Sequence, residues 1–266
     1  MYPTLLPMVD AIQNRRSCRQ FHPVTLTPEH GAQVRHFLSV MATPFDYQVS
    51  MTYHIVPEDK SIVYFQGPKQ FVALSSKEAP VEQAKLGFLG EQLILYSESI
   101  GIRTCWMGHF RTKDVHDIVY ATSKPQDEHR LFCIILLGYI PERAGFLDRF
   151  SQKRMSKKHR TVESFLHEES LTEFPDFIRL SLELASRAPS AMNSQKWYYL
   201  VEEVDNGYSI ELSKPRGYQH FKWRNYDIDV GTAAAHLWLG LESKGRTTEV
   251  SVVDRDGDAV WRFFCV

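Results

Sequence analysis

The hydrophobic positions of the chain follow two periods, and the switches between them mark its elements. Across residues 81–100, Leu86, Leu89, Leu93, Ile94, Tyr96 and Ile100 recur at helical spacing, which predicts a long helix. Gly87 and Gly90 lie inside it. Glycine weakens a helix by about 1 kcal/mol relative to alanine, so close packing against a second helix is the reason to expect them there. Gly101 is placed to end it. Earlier, residues 7–21 read as a short helix followed by an extended segment. Thr27-Pro28-Glu29 then opens a helix running to about Met41, with Thr27 as N-cap and Pro28 in its first turn. Residues 45–56, rich in Tyr, Val, Thr and Ile, predict a strand, and residues 71–75 a second. The nearly continuous apolar run over 131–139 predicts a buried strand.

The order then repeats. Residues 174–186 predict a helix, 197–202 and 208–212 two strands joined by a turn at Asn206-Gly207, and 228–243 a helix carrying Gly231, Ala233, Ala234, Ala235 and Gly240. Two further strands, 249–253 and 260–266, flank a turn at Asp256-Gly257. The helices at 81–100 and 228–243 hold equivalent places, both carry small residues, and glycine follows each, Gly101 and Gly245. This echo predicts a degenerate internal duplication in a mixed α+β fold, with the long helices packed centrally; accidental helix–strand alternation is the competing explanation. The division falls into a first lobe, 1–160, and a second, 161–266.

Composition narrows the partners. The 266 residues carry a formal net charge of −1 and are 43% apolar, which suits a sizeable core and gives no case for nucleic acid or acidic lipid. The longest apolar stretch, 131–140, is broken by Gly138 and is too short to span a bilayer. None of the four cysteines, Cys18, Cys105, Cys133 and Cys265, forms a Cys-x-x-Cys pair, and no histidine spacing suggests zinc. No signal-peptide pattern opens the chain, so the expectation is a soluble cytoplasmic protein with reduced thiols and no metal.

Four segments carry candidate chemistry. Arg15, Arg16, Ser17 and Arg19 sit where a helix passes into an extended segment; guanidinium groups bind phosphate bidentately and Ser17 adds a hydroxyl, although a solvent-facing basic turn has the same composition. Pro189-Ser190-Ala191-Met192-Asn193-Ser194-Gln195 is a polar loop whose Ser190, Asn193 and Gln195 have the groups to read a planar heterocycle, or to bond locally in a helix-ending turn. Trp106-Met107-Gly108 follows the Gly101 turn, and a glycine there lets backbone approach a flat ligand. Lys158 and Arg160 flank His159 and have the spacing to share a phosphate, although the default reading of the basic stretch 153–160 is a solvated connector.

Taken together, these segments resemble the FMN-dependent nitroreductase family. The resemblance covers most of the chain and is strongest at 12–21, 86–108 and 185–200. It implies a nitroreductase-like fold in which Arg15, Arg16, Ser17 and Arg19 hold the phosphate, ribityl chain and pyrimidine edge of FMN, with Lys158 and Arg160 closing on the phosphate. Trp106, Met107 and Gly108 approach flavin N5, and Pro189, Ser190, Ala191, Asn193 and Gln195 reach the ring from across a subunit interface. The order is unusual. About two thirds of the chain separates the arginine motif from the Pro-Ser-x-x-Asn loop. Met41-Ala42-Thr43-Pro44-Phe45 stands where the first lobe needs that loop, and Glu168-Glu169-Ser170-Leu171 stands where the second lobe needs arginines. Each lobe thus keeps one half of a site. The resemblance is to a variety in which two family subunits are fused as an intramolecular pseudo-dimer, monomeric, with one live site. Lys196 replaces the usual Pro of the loop.

The activity so implied is oxidoreduction with no catalytic side chain: hydride passes from NADH or NADPH through flavin N5 to an electron-poor small molecule, a nitroaromatic or quinone, in ping-pong fashion. Arg19 is the candidate to stabilise the reduced flavin at its pyrimidine edge. A flavin-binding sensor without turnover and a flavin-free interaction protein are the alternatives.

Overall fold

The computed structural model describes residues 5–122, 128–141, 160–215, 218, 226–246 and 248–266. Two antiparallel sheets of four strands share one core with a central pair of helices. The first sheet holds β1 (Val49–Ile55), β2 (Gln70–Ser76), β3 (Arg103–Met107) and β4 (Arg130–Gly138) in the order β1-β2-β4-β3. Helices α1 (Leu5–Asn14) and α2 (Pro28–Val40) precede it, α3 (Pro80–Ser99) joins β2 to β3, and α4 (Thr112–Thr122) joins β3 to β4. The second half contains α5 (Asp176–Ala185), β5 (Tyr198–Val204), β6 (Gly207–Ser213), α6 (Tyr226–Ser243), β7 (Thr248–Arg255) and β8 (Asp258–Cys265). Its sheet order, β5-β6-β8-β7, repeats that of the first, with α6 in the place of α3.

Local chemistry accounts for these limits. Thr27 Oγ1 accepts from the His30 N–H at 3.2 Å, and Pro28 begins α2 as an N1 proline should. After α3, Gly101 takes φ +84°; its N–H donates to Glu98 O and that of Ile102 to Ser97 O, the paired bonds of a Schellman motif. Asp256 (φ 56°) and Gly257 (φ 86°) make the two-residue turn between β7 and β8 with both backbones left-handed, the twist a tight hairpin needs.

Several boundaries correct the sequence reading. The hairpin expected at Asn206-Gly207 turns one residue earlier: Val204 pairs with Gly207, leaving Asp205 and Asn206 in the turn, Asn206 at φ 67°. Gly207 serves packing instead, for a Cβ there would lie 2.4 Å from Cys265 O. The strand expected from residue 45 starts at Val49, because the Phe45 ring leaves the sheet edge to pack on Phe88 of α3 and Trp261 of β8, centroids 4.9 and 5.3 Å away. β3 and α4 were not anticipated. Trp106 and Met107, read as part of a turn, therefore end a strand, and only Gly108 lies beyond it.

The central crossing is steric. A Cβ on Gly87 would stand 2.0 Å from the Ile228 carbonyl oxygen, and one on Gly231 2.0 Å from that of Ala84. Only two bare backbones pass at that distance. Every residue of α6 from Tyr226 to Leu241 is buried, and α3 is buried nearly all round, as expected of helices enclosed on all sides. α1 packs on both through Met8, Ala11 and Ile12, spaced at i, i+3 and i+4. A second apolar cluster covers the outer face of the first sheet, where Phe71, Ala73, Ile134 and Leu136 meet Val115, Ile118 and Val119 of α4. No described helix is long and apolar enough to cross a membrane.

Candidate functional site

The arginine-rich segment is laid along the edge of the first sheet. Ser17 bridges Thr104 of edge strand β3 in parallel, the Cys18 N–H donates to Thr104 O at 3.0 Å, and that of His22 to Tyr139 O at 2.8 Å. Cys18 and Phe21 turn into the core, leaving Arg16 exposed and Ser17 and Arg19 half-buried. Arg15, at the end of α1, points inward. Its side chain is 12% exposed, and its Nε stands 3.7 Å from Glu91 Oε1 with no hydrogen-bond partner.

Glu91 is fully buried in α3. Its Oε2 accepts from the indole Nε1–H of Trp106 at 2.8 Å. Its Oε1 lies 3.0 Å from Nε2 of His236, equally buried in α6, whose Nδ1 is 3.1 Å from Leu184 O in α5. Trp106 packs against Gly90, where a Cβ would meet its ring at 2.2 Å. The cation, the indole and a histidine from the other half of the chain therefore meet on one carboxyl group.

The Pro189–Gln195 segment is unusual in its backbone. Met192, Asn193 and Gln195 have φ of 54°, 52° and 46°. Asparagine tolerates that region, but methionine and glutamine pay on the order of 1–3 kcal/mol each for such conformations. Neighbours hold the loop in place. Both Asp229 carboxyl oxygens accept from the Ala191 N–H, at 3.1 and 3.0 Å, and Thr232 Oγ1 donates to Pro189 O at 2.7 Å. The Gln195 N–H donates to Ser190 Oγ, and Gln195 Nε2 to Ser186 O and Ala188 O. Ser194 Oγ is 2.5 Å from Tyr226 OH. Ser190 and Gln195, expected to read a ligand, are thus engaged in shaping the loop. Met192 at its tip is 68% exposed.

Asp229, Thr232 and His236 lie at i, i+3 and i+7 on α6, one face over two turns, about 10 Å from end to end. That face holds α5 at Leu184 and the loop at Pro189 and Ala191. Burial pushes the Asp229 carboxyl up to about 8 despite the Ala191 hydrogen bond, with the nearby Asp227 charge adding to the rise.

Arg160 packs on the loop. Its Nη1 donates to Gln195 O at 2.6 Å, its Nη2 and Nε engage Ser164 O and Oγ, and its guanidinium stacks 3.9 Å from the Phe165 ring centroid. Lys158, its expected partner, falls outside the described residues. A cavity of about 430 Å³ between α4 and the start of β4 reaches Gly108 but none of the other expected residues.

Glu91, Asp229, Thr232 and His236 were not anticipated. Their signal was a polar residue within an apolar helix, Glu91 in Leu89-Gly90-Glu91-Gln92-Leu93 and His236 after Ala235. Nothing local indicated that the two would meet.

The crossed helices, the paired sheets and the loop shaped by α6 define a nitroreductase-type α+β protein. The structure resembles one from Thermotoga maritima described as a "putative nitroreductase", with a TM-score of 0.64 and 22% identity over 96% of this chain and 92% of that one. The family described as "Putative TM nitroreductase" matches residues 7–241, and the chain belongs to it. More distant are a nitroreductase family protein from Clostridium difficile (14% identity, 61% of this chain and 98% of that one, TM-score 0.46) and a nitroreductase with bound FMN from Bacteroides fragilis (17%, 52% and 91%, 0.42). No curated protein matches.

Proposed function

We propose that this chain is an FMN-dependent oxidoreductase that takes hydride from NADH or NADPH and reduces an electron-poor small molecule such as a nitroaromatic or quinone. The observation that carries the reading is Arg15: a cation nearly withdrawn from solvent, with an unpartnered Nε, beside the edge segment that supplies Ser17 and Arg19. A buried guanidinium with spare donors suits a phosphate ester. Arg15 and Ser17 hold the phosphate and ribityl chain, with Arg16 and Lys158 assisting. Arg19 places positive charge at the pyrimidine edge. Met107 and Gly108 present backbone to the ring. The Pro189–Gln195 loop, through Ser190, Ala191 and Asn193, covers the ring from the other half and excludes water. FMN, when bound, supplies hydride acceptance and release at N5, so donor and acceptor use one face in turn. Arg160 shapes the loop from behind rather than binding phosphate.

The same reading makes the two halves, 1–160 and 161–266, a fused pair of subunits. The repeated sheet order and the reciprocal contacts of Gly87 and Gly231 support it. The helix interface that pairs two subunits is then internal, and the protein is expected to sediment as a monomer. A dimer persisting at nanomolar concentration counts against it.

The test is direct. Purified protein should be yellow, or become so with FMN, and should oxidise NADH or NADPH in the steady state with a nitroaromatic or quinone acceptor. Protein that binds FMN without turnover sinks the enzyme reading, and protein that binds no flavin sinks both.

A further inference from the structure

Glu91 is fully buried at the helix crossing and is not among the flavin-holding residues named above. Three groups converge on it from three elements: Arg15 at 3.7 Å from the end of α1, Trp106 at 2.8 Å from β3 and His236 at 3.0 Å from α6. A backbone carbonyl only accepts, so His236 Nδ1 donates to Leu184 O. The indole N–H only donates, so Glu91 Oε2 accepts from Trp106. His236 Nε2 and Glu91 Oε1, 3.0 Å apart, then share one proton, and the pair is neutral with that proton on either atom. A carboxylate alone beside Arg15 would cancel the charge that a phosphate needs and would be costly to bury unpaired. With the shared proton, Arg15, Glu91 and His236 together keep one net positive charge.

We propose that Glu91 and His236 are positioning residues for Arg15: the pair anchors the guanidinium across the helix crossing and leaves its charge available to a phosphate ester. The proposal rests on the FMN reading above. It makes anion binding by the first half depend on a side chain of the second, through contacts that need no ligand.

The experiment compares dissociation constants for FMN and for riboflavin, which lacks the phosphate, in wild type, Glu91→Gln, Arg15→Ala and the double variant. Gln keeps the shape of Glu91 and cannot share a proton with His236. The expected result is that E91Q weakens FMN about tenfold and riboflavin less than about twofold, and has no further effect on FMN once Arg15 is alanine. Equal losses for both flavins, or additive losses in the double variant, overturn it. A measurement on the unsubstituted protein stands beside these variants. In ¹⁵N NMR, the His236 ring should shift on adding FMN but not riboflavin. No shift with FMN, or an equal shift with riboflavin, overturns the proposal even if E91Q does not fold. Wild type that binds neither flavin overturns the FMN reading and this proposal with it; wild type that binds FMN no better than E91Q overturns the proposal alone.

Discussion

Gly87 and Gly231 make the same contact from opposite sides of the molecule. Each would place a Cβ 2.0 Å from a carbonyl oxygen of the other's helix, Gly87 against Ile228 and Gly231 against Ala84, and the same sequence interval separates Gly87 from Gly231 as Ala84 from Ile228. The obstacle is backbone in both cases, so neither helix has a side chain to move aside. Gly87→Ala and Gly231→Ala should each cost on the order of 3 kcal/mol, the upper part of the range for overpacking a core. Urea unfolding measures this. A loss below about 0.5 kcal/mol in both would mean that the helices part easily.

One FMN should bind per chain. The arginine cluster occurs only just after α1, and the Pro-Ser-x-x-Asn loop only after α5. Extraction of flavin against measured protein gives the ratio, and a value near two means that the other pairing of halves is also alive.

Arg15 and Asn193 should fail differently. Arg15→Ala removes a charge-assisted contact worth about 1.5–3 kcal/mol, a loss of roughly 10- to 100-fold for FMN and far less for riboflavin. Asn193→Ala should weaken both flavins alike. If FMN affinity and flavin potential are both untouched by Asn193→Ala, the loop does not serve the flavin.

Asp229 sets a pH dependence. Folded, it keeps its proton to about pH 8; unfolded, it releases it near the usual carboxylate range. The folded state therefore binds more protons between roughly pH 4 and 8. The stability this group contributes is fullest below that window, falls as pH rises through it by at most about 1.4 kcal/mol per unit, and is level above it. Asp229→Asn should flatten the slope in urea titrations from pH 5 to 8. Parallel curves for the two proteins would place the titration elsewhere.

What the sequence revealed follows the range of each interaction. The Thr27 cap, the Gly101 stop and the Asp256-Gly257 turn are decided within a few residues, and all three formed as read. β3 was missed because five residues beginning with Arg103 show too little alternation. α4 was legible but unread: Val115, Ile118 and Val119 are spaced for one buried face. At the candidate site, the arginine motif and the loop were visible as composition. Glu91 meeting His236 was not, because a buried pair from distant elements leaves no spacing to detect. Arg160 was visible as a cation, yet the Gln195 carbonyl that occupies it lies in another element.

The loop at 189–195 also bears on timing. The loop that carries its left-handed residues is held by Asp229, Thr232, Tyr226 and Arg160, so an arriving molecule meets a surface already shaped. Binding then pays little to order the chain, and arrival is governed by encounter. Ligands of different strength should arrive at similar rates and differ in residence time, so a preference for one over another is set by departure.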